Sequence, residues 1–263
     1  MNLNNLITRY NDEGFITKIP IISKNEALIH RNILENAENK IGSLHYKTKV
    51  HTILKSPWKI ANNKKILDIV EKIIGPNILL HNVTYIIKEP KSLSHVSWHQ
   101  DLTYWGFSSD DQVSVWLALS PASKESGCMQ MIPKSHKWGK FEHKKTEDNN
   151  NVLSSGQTVE NIDDKKSVYC DLSAGEGSFH HGWILHKSNP NISNDRRIGL
   201  NLQYLATNVR QLKHNRDSAI CVRGKDEYKN FSSDKPADTD LDPIALEKFY
   251  KVGKIYKKTQ KMN

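Results

Sequence analysis

Apolar residues in the first 75 positions recur at helical spacing, with one short strand after the first helix. The positions of Leu3, Leu6 and Tyr10 predict an amphipathic helix that ends at Gly14. Continued along the chain, the pattern predicts a strand at residues 15–19, a helix at residues 23–39 and a helix at residues 62–75. The N-terminal part is therefore expected to be mostly helical.

From residue 77 onward the pattern changes to short runs rich in β-branched and aromatic residues, separated by turn-forming residues. Such spacing is typical of a β-sandwich or β-barrel. Because the helices come first and the strands follow, the order favours a mainly β core with flanking helices over a doubly wound parallel sheet. The predicted strands cover residues 77–87, 97–102, 112–119, 127–132, 167–172, 177–179, 181–185 and 199–205.

Two long polar segments and the C-terminal tail fall outside this run of strands. Residues 142–166 predict a long loop or lid, because structureless segments of this length are usually functional or disordered. Residues 206–241 predict an irregular segment, and the amphipathic tail from Pro243 to Lys261 could cover the β core. With no internal repeat or dividing linker, residues 1–263 are expected to form one domain, with helices in 1–75, a β core in 77–205 and an irregular, then helical region in 206–263.

Composition narrows the class of protein. A hydrophobic content of 37% is enough for a sizeable core, and the formal net charge is +9. This charge indicates either a lysine-rich surface or a field that attracts an anionic ligand. The basic residues are spread along the chain with no dense run interleaved with aromatic residues, which argues against nucleic acid as a partner.

Cysteine usage and hydropathy bear on the compartment. Cys128, Cys170 and Cys221 are widely spaced and form no CxxC pair, so neither a disulfide framework nor a zinc ribbon is indicated. The N-terminus lacks the apolar core of a signal peptide, and no apolar run reaches membrane-spanning length. These features predict a cytoplasmic protein that has no membrane partner. They leave the oligomeric state undecided.

The segment at residues 95–105 contains the first candidate chemistry. Among the 12 histidines, only His99 has an acidic residue two positions later, Asp101. Positions i and i+2 of a strand share a face, so we predict that this imidazole and carboxylate grip one metal ion. A second histidine would complete the two-histidine, one-carboxylate triad of non-haem Fe(II) oxygenases. The alternative is a polar pair on a surface strand, because roughly one such pair arises by chance.

Three histidines near the end of the strand run could supply the second imidazole: His180, His181 and His186. Arg197 could then pair with the distal carboxylate of an oxoacid cosubstrate, because a guanidinium fork matches a carboxylate. Turn-forming residues between His186 and Arg197 can bring the two strands side by side. Spacing alone leaves all three histidines as candidates.

Together these motifs resemble the phytanoyl-CoA dioxygenase family of Fe(II)/2-oxoglutarate-dependent oxygenases over most of the chain. The resemblance is carried by His99-Gln100-Asp101, by His186-x-Ser188 with Arg197 eleven positions after the histidine, and by residues 10–15, 113–119 and 127–136. Lys134 departs from the family pattern, which has glycine in this Pro-x-Ser-His turn. The geometry of that turn is therefore a question for the structure.

The resemblance implies a double-stranded β-helix (jelly roll, cupin-like) that holds Fe(II) and uses 2-oxoglutarate and O2 as cosubstrates. Its implied site consists of the iron ligands His99, Asp101 and His186, of Arg197 at the C5 carboxylate of 2-oxoglutarate, and of Ser188 and Gln100 assisting the cosubstrate. The offset to Arg197 favours His186 over the other two histidines. Halogenating relatives have a small residue in place of the acid, so Asp101 favours hydroxylation, with succinate and CO2 as co-products.

The sequence defines the substrate less closely. Tyr104 and Trp105 could line a substrate pocket or simply pack. Residues 99–106 and 218–226 resemble the 2-aminoethylphosphonate dioxygenase branch, and Arg223 in the second segment could meet an anionic substrate. A small anionic metabolite, such as an organophosphonate, is therefore the first expectation. The alternatives are an amino acid, a compatible solute or an acyl-CoA as substrate, a non-catalytic jelly-roll binding module, and dealkylation of nucleic acid.

Overall fold

A computed structural model describes residues 2–153, 157–213 and 217–260, with side chains as far as Ile255. Its helices are α1 (Leu3–Glu13), α2 (Lys24–Ile41), α3 (Lys55–Ala61), α4 (Lys64–Ile74), α5 (Leu102–Trp105) and α6 (Pro243–Gln260). Its strands are β1 (Phe15–Pro20), β2 (Ile78–Lys88), β3 (Val96–His99), β4 (Gln112–Ala118), β5 (Met129–Met131), β6 (Lys144–Lys145), β7 (Gln157–Thr158), β8 (Val168–Cys170), β9 (Glu176–His180), β10 (His186–Ser188), β11 (Arg197–Ala206), β12 (Ser218–Arg223) and β13 (Ser232–Ser233).

The N-terminal helices begin and end at local sequence signals. Gly14 ends α1 in the left-handed conformation at φ 85°, and its N–H donates to Tyr10 O. Ser23 and Glu26 form a reciprocal capping box at the start of α2. The three helices and the strand predicted in this part of the chain are confirmed, whereas the short helix α3 was not foreseen.

Two antiparallel sheets face each other. Within the described ranges, the large sheet has the order β1-β9-β4-β11-β2-β12-β13 and the smaller one the order β3-β10-β5-β8. All pairs in these sheets are antiparallel except β12 with β13. The predicted fold class, mainly β with flanking helices in a jelly-roll arrangement, is confirmed, although the described strands form no closed barrel.

The large sheet separates the helical layer from the space between the sheets. Side chains alternate along β11, so that Ile198, Leu200 and Leu202 are fully buried in the main apolar core. The same core includes Leu34 of α2 and Ile66 of α4, so the helices cover this face of the sheet. The opposite face is turned toward the smaller sheet and carries polar residues.

The secondary-structure prediction was wrong in several regions. The strand predicted at 97–102 ends at His99, and the strand predicted at 181–185 is a turn in which Ile184 N donates to His181 O. Ile184 is fully buried in that turn, and an apolar run alone does not distinguish a strand from other buried segments. In the region predicted as irregular, β12 pairs with β2.

The predicted lid and tail both reach the space between the sheets. Val152 and Leu153 of the polar segment line a cavity there, while residues 154–156 lie outside the described residues. Helix α6 covers the β core through Phe249, which is 4% exposed, although Ile244 faces solvent. No described helix is both long enough and apolar enough to cross a bilayer. The single-domain organisation and the cytoplasmic location stay predictions.

Lys134 keeps the turn geometry that a glycine would give. Its backbone has φ 67°, in the left-handed region. The following Ser135 side chain accepts from Leu185 N at 2.8 Å, which ties this turn to the segment just before β10. The departure from the family's glycine therefore leaves the turn intact.

Candidate functional site

A cavity of about 470 Å³ lies between the two sheets. The large sheet contributes polar side chains of β2 and β11, and the smaller sheet contributes side chains of β3, β5 and β10. Residues from α6 and from the predicted lid line it as well. Most of the candidate site residues identified from the sequence line this cavity.

His99, Asp101 and His186 meet in the cavity. Antiparallel pairing of β3 with β10 places His99 directly opposite His186, with ring centroids 4.0 Å apart. Asp101 Oδ1 lies 3.5 Å from His99 Nε2 and 3.8 Å from His186 Nε2. The three candidate ligand atoms lie within 4.8 Å of one another, close enough to share one metal ion.

Asp101 reaches this cluster by a route that differs from the predicted one. The chain leaves β3 at His99, and Asp101 adopts helical angles (φ −57°, ψ −45°) at the start of α5. The backbone N–H of the intervening Gln100 donates to His143 Nε2 at 3.0 Å. The prediction that both side chains share one strand face was wrong, because a turn presents the carboxylate to His99.

The histidine rings are oriented by backbone carbonyls. His99 Nδ1 donates to Ser97 O at 2.9 Å, and His186 Nδ1 donates to Ile184 O at 3.0 Å. Each Nε2 lone pair is thereby left for a metal ion, the usual arrangement of ligating histidines. Burial, reinforced by the adjacent His99, lowers the pKa of His186 to about 3 and keeps that ring neutral.

The donor set fits Fe(II). Burial favours the protonated Asp101, but the neighbouring imidazoles of His180 and His99 outweigh it and hold the pKa of the carboxyl well below its usual range. Imidazole nitrogens and one ionised carboxylate on one side of a shared point form the facial triad of non-haem Fe(II) oxygenases, which leaves coordination positions for other ligands.

The two alternative histidines are not part of this ligand cluster. His180 Nε2 is 3.6 Å from Asp101 Oδ2, the oxygen turned away from His99, and Ser114 Oγ lies 3.4 Å from the same atom. His180 can therefore hold the carboxylate in place. His181 does not line the cavity and faces Asp110 at 3.7 Å.

Arg197 is a buried cation at one end of the cavity. It is 1% exposed, Nη1 donates to Gly127 O at 3.0 Å, and Nε has no hydrogen-bond partner among the described residues. No carboxylate lies within ion-pair distance of it in the part of the chain that the structure describes. Burial lowers the pKa of this guanidinium to about 10, so it is still charged at neutral pH. A buried, uncompensated arginine fits a site for the carboxylate of 2-oxoglutarate.

The indole of Trp116 supports Arg197 at this end. The guanidinium carbon lies 5.2 Å from the Trp116 ring centroid, within cation–π range. The ring in turn lies on Gly199, where an added Cβ would come within 1.8 Å of Trp116 Cζ2. Gly199 thus leaves room for the indole under Arg197.

A Gly199→Ala substitution is expected to lower the free energy of unfolding by about 1–3 kcal/mol, because the rigid indole must move. It should also weaken 2-oxoglutarate binding by shifting Arg197. Urea unfolding and cosubstrate titration measure the two effects. Gly177→Ala on strand β9 of the same sheet is the matched control, since its added Cβ meets a flexible Ile21 side chain at 3.3 Å. Equal unfolding free energies for the two variants would contradict this packing argument.

Ser188 lines the cavity beside Arg197, and Lys88 holds it. Lys88 Nζ donates to Ser188 Oγ at 2.8 Å and to the backbone oxygen of Asn189. Burial, reinforced by Arg197, lowers the pKa of Lys88 to about 6. Sequence reasoning missed Lys88, although a lysine that directly follows the apolar run at residues 85–87 was a usable signal.

Two predicted site residues are not brought to the cavity. The Gln100 amide donates to Gly139 O and Trp183 O and accepts from Phe141 N, all at 2.8–2.9 Å. Arg223 pairs with Asp68 and Glu71 of α4 at 2.9 and 2.6 Å. The expected roles of Gln100 in cosubstrate binding and of Arg223 in substrate binding are corrected, because these hydrogen-bonding groups are already engaged. Tyr104 and Trp105 do line the cavity.

Fold and site together define the architecture of a non-haem iron oxygenase, and comparison with known proteins agrees. The sequence pattern of the phytanoyl-CoA dioxygenase (PhyH) family matches residues 22–199. The chain belongs to the phytanoyl-CoA dioxygenase family. The predicted family and the predicted iron and 2-oxoglutarate chemistry of its class are thereby confirmed.

Individual relatives extend the comparison. The chain is 30% identical over 152 residues to a probable alpha-ketoglutarate-dependent hypophosphite dioxygenase of Stutzerimonas stutzeri, covering 57% of this chain and 53% of that protein. It is 30% identical over 132 residues to peroxisomal phytanoyl-CoA dioxygenase of Homo sapiens, covering 48% of this chain and 39% of that protein. The matches thus span about half or less of these relatives. The structure of the non-heme monooxygenase ThoJ, in its apo form, superimposes with a TM-score of 0.85 at 25% identity, covering 97% of each chain.

Proposed function

We propose that this protein is an Fe(II)/2-oxoglutarate-dependent dioxygenase that hydroxylates a small anionic metabolite, with a phosphorus oxyanion as the first candidate. The observation that carries the proposal is the combination, in one cavity, of a His99–Asp101–His186 cluster and a buried Arg197 without a carboxylate partner. The cluster suits Fe(II), and the arginine suits the far carboxylate of a dicarboxylic cosubstrate.

In this proposal the chain's own residues bind the cosubstrate, orient the carboxylate ligand and exclude water from the cavity. Arg197 and Ser188 hold the cosubstrate at one end, while His180 and Ser114 keep the Asp101 carboxylate turned toward the two histidines. When bound, Fe(II) supplies the redox chemistry by which O2 and 2-oxoglutarate yield succinate, CO2 and a hydroxylated substrate. The apolar walls of the cavity protect that chemistry from water.

The charge of the cavity supports an anionic substrate. Apart from Arg197, the cationic lining residues are Lys47, Lys187 and Lys254, against the single carboxylate of Asp101. Lys187 is engaged with Asp164. Lys47 and Lys254 make no ion pair with any described residue, so both can attract an entering anion. The similarity to a probable hypophosphite dioxygenase supports phosphorus as the central atom of the anionic substrate.

Removing both free lysines tests the charge of the substrate. Lys47→Met/Lys254→Met is expected to raise the KM for an anionic substrate about tenfold, by loss of electrostatic attraction. The KM for 2-oxoglutarate should stay unchanged. The control Lys24→Met/Lys65→Met removes the same charge from exposed helix positions outside the cavity. If both double variants have the same KM as the wild-type protein, the substrate is not recognised by the charges of Lys47 and Lys254.

Succinate release by the Fe(II)-loaded protein tests the function itself. The panel comprises hypophosphite, 2-aminoethylphosphonate, an amino acid, ectoine and an acyl-CoA. We expect a phosphorus oxyanion to stimulate succinate formation most strongly. Stimulation by another compound alone would reject the phosphorus substrate while keeping the enzyme class. If the iron form neither binds 2-oxoglutarate nor turns it over, the protein is a binding module instead.

A further inference from the structure

The inward-facing side of β11 extends from the cosubstrate end of the cavity to its other end. Arg197, Asn201 and Gln203 of this strand all line the cavity. Arg197 and Gln203 are six residue steps apart along the strand, which corresponds to about 20 Å between their backbones. A five-carbon dicarboxylate held by Arg197 is too short to reach Gln203. Gln203 therefore belongs to the substrate end.

Gln203 is a buried amide that the protein leaves half-satisfied. The residue is 6% exposed, and its Oε1 lies 3.4 Å from His81 Nδ1. Its Nε2 makes no hydrogen bond with residues 2–153, 157–213 or 217–260, and the residue lines the cavity. Because buried polar groups in native proteins are almost always hydrogen-bonded, a donor turned into a cavity points to an acceptor on a ligand.

A charged network fixes the orientation of this amide. A register shift in the pairing of β2 with β11 leaves His81 outside the regular pairs, between Asn82 and Leu80. His81 Nε2 lies 2.8 Å from Asp217 Oδ2, so carboxylate and amide oxygens flank the two ring nitrogens. The amide oxygen of Gln203 faces His81 Nδ1, so the amide nitrogen is turned away from the ring.

Lys49 and Asp234 add a positive and a negative charge to this network. Lys49 Nζ lies 2.9 Å from Asp234 Oδ2 and 4.0 Å from Asp217 Oδ1. Burial acts to raise the pKa of Asp217, but His81 and Lys49 outweigh it and hold the pKa below its usual range. The backbone N–H of Lys49 also donates to Asn82, the residue paired with Gln203, at 2.8 Å. This places the 47–49 segment, with its free Lys47, at the same end of the cavity.

We propose that Gln203 is a substrate-binding residue whose Nε2–H donates to an oxygen of the substrate's phosphonate or phosphinate group, and that His81 is its positioning residue. The inference rests on the proposed function. Arg197 serves the cosubstrate, and Gln203 with Lys47 serves the substrate. Substrate and cosubstrate then use separate ends of β11.

Binding of named probes tests the proposal without turnover. Hypophosphite and 2-aminoethylphosphonate are titrated calorimetrically into anaerobic protein loaded with Fe(II) and 2-oxoglutarate. Gln203→Met removes the amide at nearly constant volume. It is expected to lower the affinity for whichever probe binds by about tenfold to a hundredfold. The affinity for 2-oxoglutarate should be unchanged. Gln130→Met is the matched control, a buried glutamine on β5 that does not line the cavity.

A double-mutant cycle tests the role of His81. If His81 acts through Gln203, then His81→Asn should weaken probe binding in the wild-type background and have no further effect in the Gln203→Met background. A general structural role would instead weaken binding equally in both backgrounds and would also lower the affinity for 2-oxoglutarate. That result would overturn the positioning role of His81.

The remaining outcomes separate the two proposals. Equal probe affinity in wild-type protein and Gln203→Met overturns the role of Gln203 and leaves the proposed function standing. Failure of wild-type protein to bind either probe, with 2-oxoglutarate binding intact, overturns this inference together with the phosphorus substrate. It leaves the dioxygenase reaction standing.

Discussion

Replacing His186 with alanine is expected to abolish substrate-stimulated succinate formation. The substitution removes one of the two Nε2 atoms that lie near Asp101 Oδ1. Iron affinity should fall by more than about 100-fold, because losing a metal ligand costs more affinity than losing a residue that hydrogen-bonds to a ligand. Iron content after dialysis and the rate of succinate formation measure the two effects.

His181→Ala is the matched control for this loss. His181 was a candidate ligand from the sequence, but it faces Asp110 and lies outside the cavity. Its removal should leave iron content and turnover within a few-fold of the wild-type values. If His186→Ala keeps its iron and its activity while His181→Ala loses both, the ligand set proposed here is wrong.

Replacing Arg197 with methionine is expected to remove most of the affinity for 2-oxoglutarate. Truncating one partner of a buried charged pair costs about 2–5 kcal/mol, which corresponds to a thirtyfold or larger rise in the dissociation constant. The free energy of unfolding without cosubstrate should not fall, because the hydrogen bonds of Arg197 to the described residues go to backbone carbonyls, which leave its buried charge uncompensated. Anaerobic 2-oxoglutarate titration and urea unfolding test both statements.

The adjacent arginine supplies the control. Arg196 faces away from the cavity and pairs with Glu38 and Glu89 at 2.8 Å. Arg196→Met should therefore leave the affinity for 2-oxoglutarate unchanged, even where it lowers stability. Equal losses of cosubstrate affinity in both arginine variants would show that general charge, and not the buried site, attracts the dicarboxylate.

Short-range sequence signals could predict the parts of the site that lie in local motifs. His99, Asp101 and His186 stand at positions that the motif pattern singles out, and the structure brings them together. The strand face used to explain the first pair was wrong, because the chain turns at Asp101. Motif spacing indicated which residues meet without indicating the backbone that joins them.

Residues whose partners are distant in sequence were harder to predict. Gln100 sits between two ligand positions, but its amide is engaged by backbone groups of residues 139, 141 and 183. Arg223 lies in a motif-like segment, but α4 supplies its carboxylate partners. Neither pairing could be read from the sequence near the residue, because each depends on how distant segments pack.

The polar ladder of β11 was available in the sequence and was overlooked. Apolar residues at 198, 200, 202 and 204 alternate with Arg197, Gly199, Asn201 and Gln203. The period of two assigns the second set to one face of the strand. That face lines the cavity at Arg197, Asn201 and Gln203, so the alternation that predicted a strand also identified candidate binding residues.

Oxygen labelling tests the central claim most directly, since it does not require the natural substrate. The Fe(II)-loaded protein is given 2-oxoglutarate, a reductant and ¹⁸O2, and the succinate formed is analysed by mass spectrometry. A 2-oxoglutarate-dependent dioxygenase places one oxygen atom from O2 in succinate, so we expect singly labelled succinate from the wild-type protein and none from His186→Ala. Unlabelled succinate, or no succinate although iron is bound, would contradict the proposed function.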